Sequence, residues 1–432
     1  MLCKTSLTGI VFLLPFLQHS FAQPLIHANE QRIESRIREL SLKGDSTAGV
    51  LRRVAFSSGD IEARKYIVSL MRSVGLAVTT DPAGNIIGKR EGKNPALPPI
   101  SFGSHTDAVP NGGNYDGDLG VIAAIECIQL LNENHLMTEH PLEVIDFVDE
   151  EGGLTGSQLM IGELPAERLN AVTNSGKTIR QGIHDLGGDT AHLEKSIRKP
   201  GSMSAFLELH IEQGANLDNR HLDIGVVEGI VGVEGWSIVV TGKTNHAGTT
   251  PMLLRKDALV VAARLILQIN ETVLAIPGRQ VATVGQIKAF PGATNVIPGK
   301  VIMNLDLRDL SKQKLDSVLG IIRQKADSLA AATGTNIQFV SAHRQIPAIT
   351  DKDIQEIIAG SARDLGLSTL YLPSGAGHDT QNMARIAPVG MIFAPSKNGI
   401  SHSPEEYTAP KDMASGTDVL LRAILKIDQR IK

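Results

Sequence analysis

The sequence predicts an α/β fold with a parallel-rich sheet, interrupted by an inserted α+β (ferredoxin-like) domain. Three observations carry this. Short apolar strands alternate with helical segments through the first half of the chain, the pattern of a parallel sheet with crossover helices. A strand–helix–strand–strand–helix–strand order then occupies the stretch after about residue 215. The 432 residues also exceed what one hydrophobic core usually serves, so two domains are expected.

The first residues read as a leader. Lys4 supplies a positive start, residues 7–17 form a short apolar run, and Ser20-Phe21-Ala22 places small residues where a signal peptidase cuts, before Gln23. Residues 1–22 are therefore expected to be a signal peptide, and the mature protein to be exported to a periplasm, the exterior or a secretory lumen. The run is shorter than the roughly 20 residues of a membrane span, so no membrane association is expected after cleavage. Cys3 leaves with the leader. Cys127 then stands alone among apolar neighbours such as Ile125 and Ile128, which reads as a buried structural thiol rather than a disulfide partner.

The catalytic domain is expected to begin at 23 and run to 216. Ile33, Ile37 and Leu40 fall at helical spacing over 28–42, and a second helix over 61–74 stops at Gly75. A strand over 99–102, a helix over 120–131 and a strand over 142–148 follow. The insert is assigned to 217–337. It contains strands over 236–241, 280–287, 301–309 and 337–340, with helices over 257–269 and 312–332. A helix over 353–365 marks the return to the first domain, 338–432.

Composition narrows the function. Hydrophobic residues make up 42% and charged residues 20%, an ordinary globular balance. The net charge is -4 with dispersed cations, and aromatics are only 3%, so neither nucleic acid nor an acidic membrane is an expected partner.

Five segments share one arrangement, an apolar run ending in metal-ligand or acid–base residues. They are Ile100-Ser101-Phe102-Gly103-Ser104-His105-Thr106-Asp107, Asn114-Tyr115-Asp116-Gly117-Asp118, and Val144-Ile145-Asp146-Phe147-Val148-Asp149-Glu150-Glu151-Gly152. Phe206-Leu207-Glu208-Leu209-His210 and Gly399-Ile400-Ser401-His402-Ser403 complete the set. Ligands at the carboxyl ends of parallel strands are where open α/β sheets place their sites. Imidazole and carboxylate donors without thiolate suit Zn, Mn, Ni or Co alike. Two such ions need a bridging ligand, and Asp116 is the candidate. Asp107 is placed to orient His105 through its second ring nitrogen. In the acidic pair Glu150-Glu151, one residue can bind metal while its neighbour moves a proton from water to the leaving nitrogen. A single His after a strand is more often structural; five such segments together are not explained by packing.

At these segments the chain resembles the M20-type metallohydrolases. Within them it is most similar to the amidase branch of N-carbamoyl-L-amino-acid hydrolases, allantoate amidohydrolases, ureidoglycolate hydrolases and β-ureidopropionases. The resemblance runs from about residue 30 to the C-terminus. Its most specific stretches also include His210-Ile211-Glu212-Gln213-Gly214, Asn245-His246-Ala247-Gly248-Thr249-Thr250-Pro251-Met252 and Gly375-Ala376-Gly377-His378-Asp379. The resemblance implies two divalent metal ions per subunit. His105, Asp116 and His210 would hold one, with Asp116, Glu151 and His402 around the other, and Glu150 would be the general base. It implies a lid that also mediates homodimerisation, with His246 stabilising the oxyanion, often from the partner subunit. A small-molecule substrate carboxylate would meet Arg308, with Gln213, Asn295 and His378 as further polar contacts. Without the resemblance, Arg308 would read as a solvated strand residue paired with Asp306 or Asp309, and His246 as a loop cap. The remaining histidines sit in no such context.

One departure bears on specificity. Many relatives carry an arginine and an aromatic after the acidic pair, where this chain has Gly152-Gly153-Leu154-Thr155-Gly156. The leading expectation is hydrolysis of a ureido or carbamoyl C–N bond in a small carboxylate substrate. The alternatives are a secreted M20-type aminopeptidase, dipeptidase or aminoacylase, and a binding protein that has lost turnover. The last would be marked by loss of a ligand or of Glu150, and both are intact.

Overall fold

A computed structural model describes residues 26–44 and 53–430. The expected leader, with Cys3, lies outside the described residues.

The larger sheet is mixed and nine-stranded. Its centre is four parallel strands lying side by side: Leu142–Phe147, Ile100–His105, Ala205–Ile211 and Val389–Ala394. Every residue of these four is buried, as expected for strands covered on both faces. Ala77–Thr80 and Ile86–Arg90 extend one side antiparallel, and Ile224–Ile230 with its neighbours Ala348–Ile349 and Thr369–Ser374 closes the other. Helices Asp118–Glu133, Lys352–Asp364 and Pro410–Arg430 pack on this sheet. The first of these is apolar almost all round and nearly wholly buried, including Cys127, the reading that its sequence predicts.

Because the central strands run the same way, His105, Phe147, Ile211 and Ala394 end on one edge. The segments that follow them carry Asp107, Glu150 with Glu151, Gln213 and His402. That edge is the site.

A second, five-stranded sheet is antiparallel throughout, in the order Ile287–Phe290, Lys300–Asp309, Gly232–Thr241, Asn336–Gln345, with Val281–Thr283 beside Lys300–Asp309. Lys300–Asp309 alternates strictly between exposed or half-buried and buried residues, the mark of a sheet with one covered face. Helices Ala258–Ala275 and Lys312–Thr333 cover it, giving a separate core around Ile238, Leu265, Met303 and Leu319. The limits differ from the expected 217–337. Ile224–Ile230 pairs in the larger sheet, and the last strand of the insert continues from 340 to Gln345 through polar residues that pair with Gly232–Thr241. Alternation alone gave no sign of that polar extension.

Candidate metal centre and active site

Asp116 is the hub. Its Oδ1 lies 3.0 Å from His210 Nε2 and 3.6 Å from His105 Nε2. Its Oδ2 lies 3.3 Å from His402 Nε2, which is in turn 3.5 Å from Glu151 Oε1. The two carboxylate oxygens therefore face two clusters, His105–Asp116–His210 and Asp116–Glu151–His402. The five residues that the sequence singles out as ligands are brought together.

Local structure fixes the imidazoles. His105 Nδ1 donates to the Asp107 carbonyl at 3.0 Å, and His210 Nδ1 donates to the Ile211 carbonyl at 2.9 Å. Each bond leaves Nε2 aimed at Asp116, the tautomer a ligand needs. Asp107 contributes more than the orienting carboxylate that the sequence suggests. Its carboxylate stands 3.7 Å from the same His105 Nδ1, within ion-pair reach, and also accepts from the backbone N–H groups of Glu150 and Glu151 at 3.1 and 3.2 Å. Asp107 shapes the acidic turn, while its main chain orients the histidine. Gly117 is required between Asp116 and the helix: at φ 69°, a Cβ there would run into the His105 ring.

The electrostatics ask for positive charge. Burial, then Glu151 and Asp379, hold the Glu150 carboxyl well above the usual range, and burial with Asp116 pushes Glu151 to about 8. Burial opposes a charged His210, but Asp116 overrides it and lifts the ring to about 9. The hydrogen bond to Asp116, with Glu151 adding to it, lifts His402 to about 9. His105, with burial dominant, falls to about 4. Protons gather where the carboxylates crowd, and Glu151 Oε1 and Gln213 Oε1 are buried without a hydrogen-bond partner. Two divalent cations fit this donor set of imidazoles and carboxylates.

Three non-glycine residues at the site, Asp149, Gln213 and His402, have φ near +54°. This backbone is sparsely populated and costs about 1–3 kcal/mol per residue, strain that concentrates where function over-determines geometry. Gln213 Nε2 donates to Asp116 Oδ2 at 2.6 Å, so this amide touches the hub itself.

The remaining candidates divide. His378 is buried, packs edge-on against His210 at 4.5 Å between ring centroids, and is bonded through Nε2 to Ser374 Oγ. Glu208, His210 and His378 also converge, but the Glu208 oxygens are already taken by Ser104 and Thr380. His246 and Asn295 are exposed on or beside a two-stranded ribbon, and neither side chain hydrogen-bonds to the five-residue cluster. His246 Nδ1 accepts from Gly248 and Thr249, which leaves Nε2 carrying the free N–H. Arg308 is paired with Asp306.

Sequence reasoning missed four supports. Glu406 accepts from the backbone of Tyr115, Asp116 and His402, and from Ser401 Oγ. Ser401 Oγ also donates to Asp116 Oδ2 at 3.0 Å. Asp379 is fully buried beside Glu150. Arg53, with Nε on the Thr106 carbonyl, ion-pairs with buried Asp118 beneath the site; breaking such a pair costs about 3–5 kcal/mol. The acidic pair Glu405-Glu406 after the fifth segment was a usable signal, since its counterpart Glu150-Glu151 was read. The Gly152-Gly153 departure is filled from elsewhere: the Arg168 guanidinium lies across these glycines, beside a cavity of about 140 Å³ that Glu151 and Asn174 also line.

Strand-end histidines and carboxylates arranged around one shared aspartate have the donor set of a metal-dependent hydrolase. The chain belongs to peptidase family M20/M25/M40, whose model matches residues 101–426. It is 38% identical over 404 residues to an N-carbamoyl-L-amino acid amidohydrolase of Geobacillus stearothermophilus, covering 92% of this chain and 98% of the relative. It is 37% identical to a ureidoglycolate hydrolase of Arabidopsis thaliana, covering 91% and 86%. A solved amidase of the hydantoinase/carbamoylase family from Burkholderia multivorans superposes with a TM-score of 0.85 at 32% identity, covering 94% and 99%.

Proposed function

We propose that this chain hydrolyses a ureido or carbamoyl C–N bond in a small carboxylate substrate of the N-carbamoyl-L-amino acid, allantoate or ureidoglycolate type, releasing ammonia. The observation that carries the reading is Asp116, whose two oxygens face His105 with His210 and Glu151 with His402. The relatives at 37–38% identity act on carbamoyl and ureido compounds by name, which favours the ureido bond over the peptide bond within this family.

His105, Asp116 and His210 would hold one divalent ion and Asp116, Glu151 and His402 the other. When bound, such a pair supplies Lewis-acid polarisation and neutralises developing charge. Glu150, buried and standing 3.8 Å from His105 Nε2, is the proton carrier. It takes a proton from the attacking water as the oxygen bonds to the carbamoyl carbon, and delivers it to the departing nitrogen as the C–N bond breaks. A carboxyl held above its usual range by burial suits that double role. Gln213 and His378 line the substrate's approach. Arg308 offers a planar fork to the substrate carboxylate, and Asn295 an amide beside it.

The five-stranded sheet would serve as lid and dimerisation domain. Its helix Ala258–Ala275 presents Leu267 and Leu274 to solvent, 63% and 77% exposed, a surface for a second copy. His246, with its free Nε2–H, would reach the oxyanion on lid closure or from the partner subunit. We further read residues 1–22 as an export signal, for which a mature N-terminus at Gln23 is the test.

The functional test is ammonia release by metal-loaded protein offered N-carbamoyl amino acids, allantoate and ureidoglycolate, beside dipeptides assayed for free amines. Turnover of a ureido substrate supports the reading. Dipeptide cleavage alone would move the chain to the peptidase alternative.

A further inference from the structure

Arg308 and Asp306 lie two residues apart on strand Lys300–Asp309, on the same face. Asp306 accepts Nε at 2.8 Å and Nη2 at 3.1 Å, a side-on bidentate pair, and Nη1 donates to the Gly375 carbonyl at 2.7 Å. A guanidinium has five N–H donors in one plane. Three are used, and the two that remain are one on Nη1 and one on Nη2, the two nitrogens whose spacing matches the two oxygens of a carboxylate.

The two partners also come from different bodies. Asp306 belongs to the five-stranded sheet, whereas Gly375 follows strand Thr369–Ser374 of the larger sheet and leads into His378. The guanidinium is thus clamped between the insert and the catalytic sheet, with both side chains about a third exposed. A free arginine would have to be immobilised when the ligand arrives; one already held loses less freedom on binding.

We propose that Asp306 is a positioning residue for substrate recognition. It locks the side-on edge of Arg308, so that the remaining Nη1 and Nη2 N–H groups are presented as a preformed carboxylate fork across the boundary between the two sheets. The ligand class is a small molecule with a free α-carboxylate, and the inference rests on the reading of Arg308 given above. The opposite role is a competitor: an internal carboxylate that the substrate must displace. The donor count favours positioning, because Nη1 and Nη2 each keep one N–H without a protein partner while Asp306 is in place.

The two roles predict opposite signs. Steady-state kinetics on an N-carbamoyl amino acid would be measured for the native protein and for Asp306→Asn, Asp306→Glu, Arg308→Ala and the Asn/Ala double variant, with thermal melting as the check on folding. Positioning predicts that Asp306→Asn raises KM roughly tenfold, more than it lowers kcat, and that Asp306→Glu recovers most of the loss. The double variant should then be no worse than Arg308→Ala alone, because both changes remove one fork. If Arg308→Ala raises KM while Asp306→Asn leaves it unchanged or lowers it, the positioning role is wrong and the substrate role of Arg308 stands. If Arg308→Ala leaves KM unchanged, it is the substrate role of Arg308 that fails, and the inference fails with it.

Discussion

The two sheets treat their functional side chains in opposite ways. Around the larger sheet, His105, Asp116 and His210 are buried, and each is held by at least one further contact from a neighbouring loop or main-chain group. On the insert, His246 and Asn295 are exposed and linked only to their own ribbon, and Arg308 reaches the larger sheet through a single carbonyl. The first group converges as folded into clusters that could hold ions. In the second group, His246 and Asn295 would need closure or a partner subunit to meet a substrate under the function proposed, whereas Arg308 already bonds to the larger sheet. On the function proposed, the difference separates a preassembled ligand cluster from recognition groups that lie mostly exposed on the insert.

Changes on the two sides should therefore fail differently. The largest effect is expected on the preassembled side. Glu150→Gln should lower kcat by roughly 10²–10⁴-fold with metal content intact, read by ammonia release and metal analysis of the same sample. His246→Ala comes next, with a loss of about 10²-fold in kcat and unchanged metal content. Leu267→Lys combined with Leu274→Lys sharpens the contrast: the double variant should shift toward monomer in light scattering, and activity should fall with the dimer fraction. Full activity in a proven monomer would show that His246 acts within its own chain or not at all. The smallest effect is at Gly117→Ala, where the new methyl displaces the His105 ring; metal affinity should fall roughly 10–100-fold, measured by chelator competition, and the strained backbone should also lower the melting temperature of the metal-free protein by a few degrees.

The preassembled half was legible in the sequence because its residues sit at the ends of apolar strands. His105, Glu150 with Glu151 and His210 follow runs whose hydrophobicity already marks a buried sheet, so a charged group there demands a reason. The supports were not legible, because they act across long separations. Glu406 holds the backbone of Asp116 from 290 residues away, and the partner of His105 is a carbonyl, which a sequence motif does not display. Asp107 shows the limit well: its position two residues after His105 points to the carboxylate beside the ring, but not to the carbonyl that accepts from Nδ1 or to the Glu150 and Glu151 amides the carboxylate also holds. In the insert, the strand and helix order was readable from periodicity. The Asp306–Arg308 pair was visible as an alternative, but its bond to Gly375 depends on how the two sheets meet.

The most direct test of the account is the number of divalent ions bound per chain, before and after Asp116→Asn. An amide keeps the size of Asp116 but loses its charge and one of its two ligand oxygens. Two ions are expected in the native protein and loss of both, or near loss, in the variant, because one carboxylate faces both clusters. A single ion in the native protein, or two that survive Asp116→Asn, would contradict a centre built on that bridge.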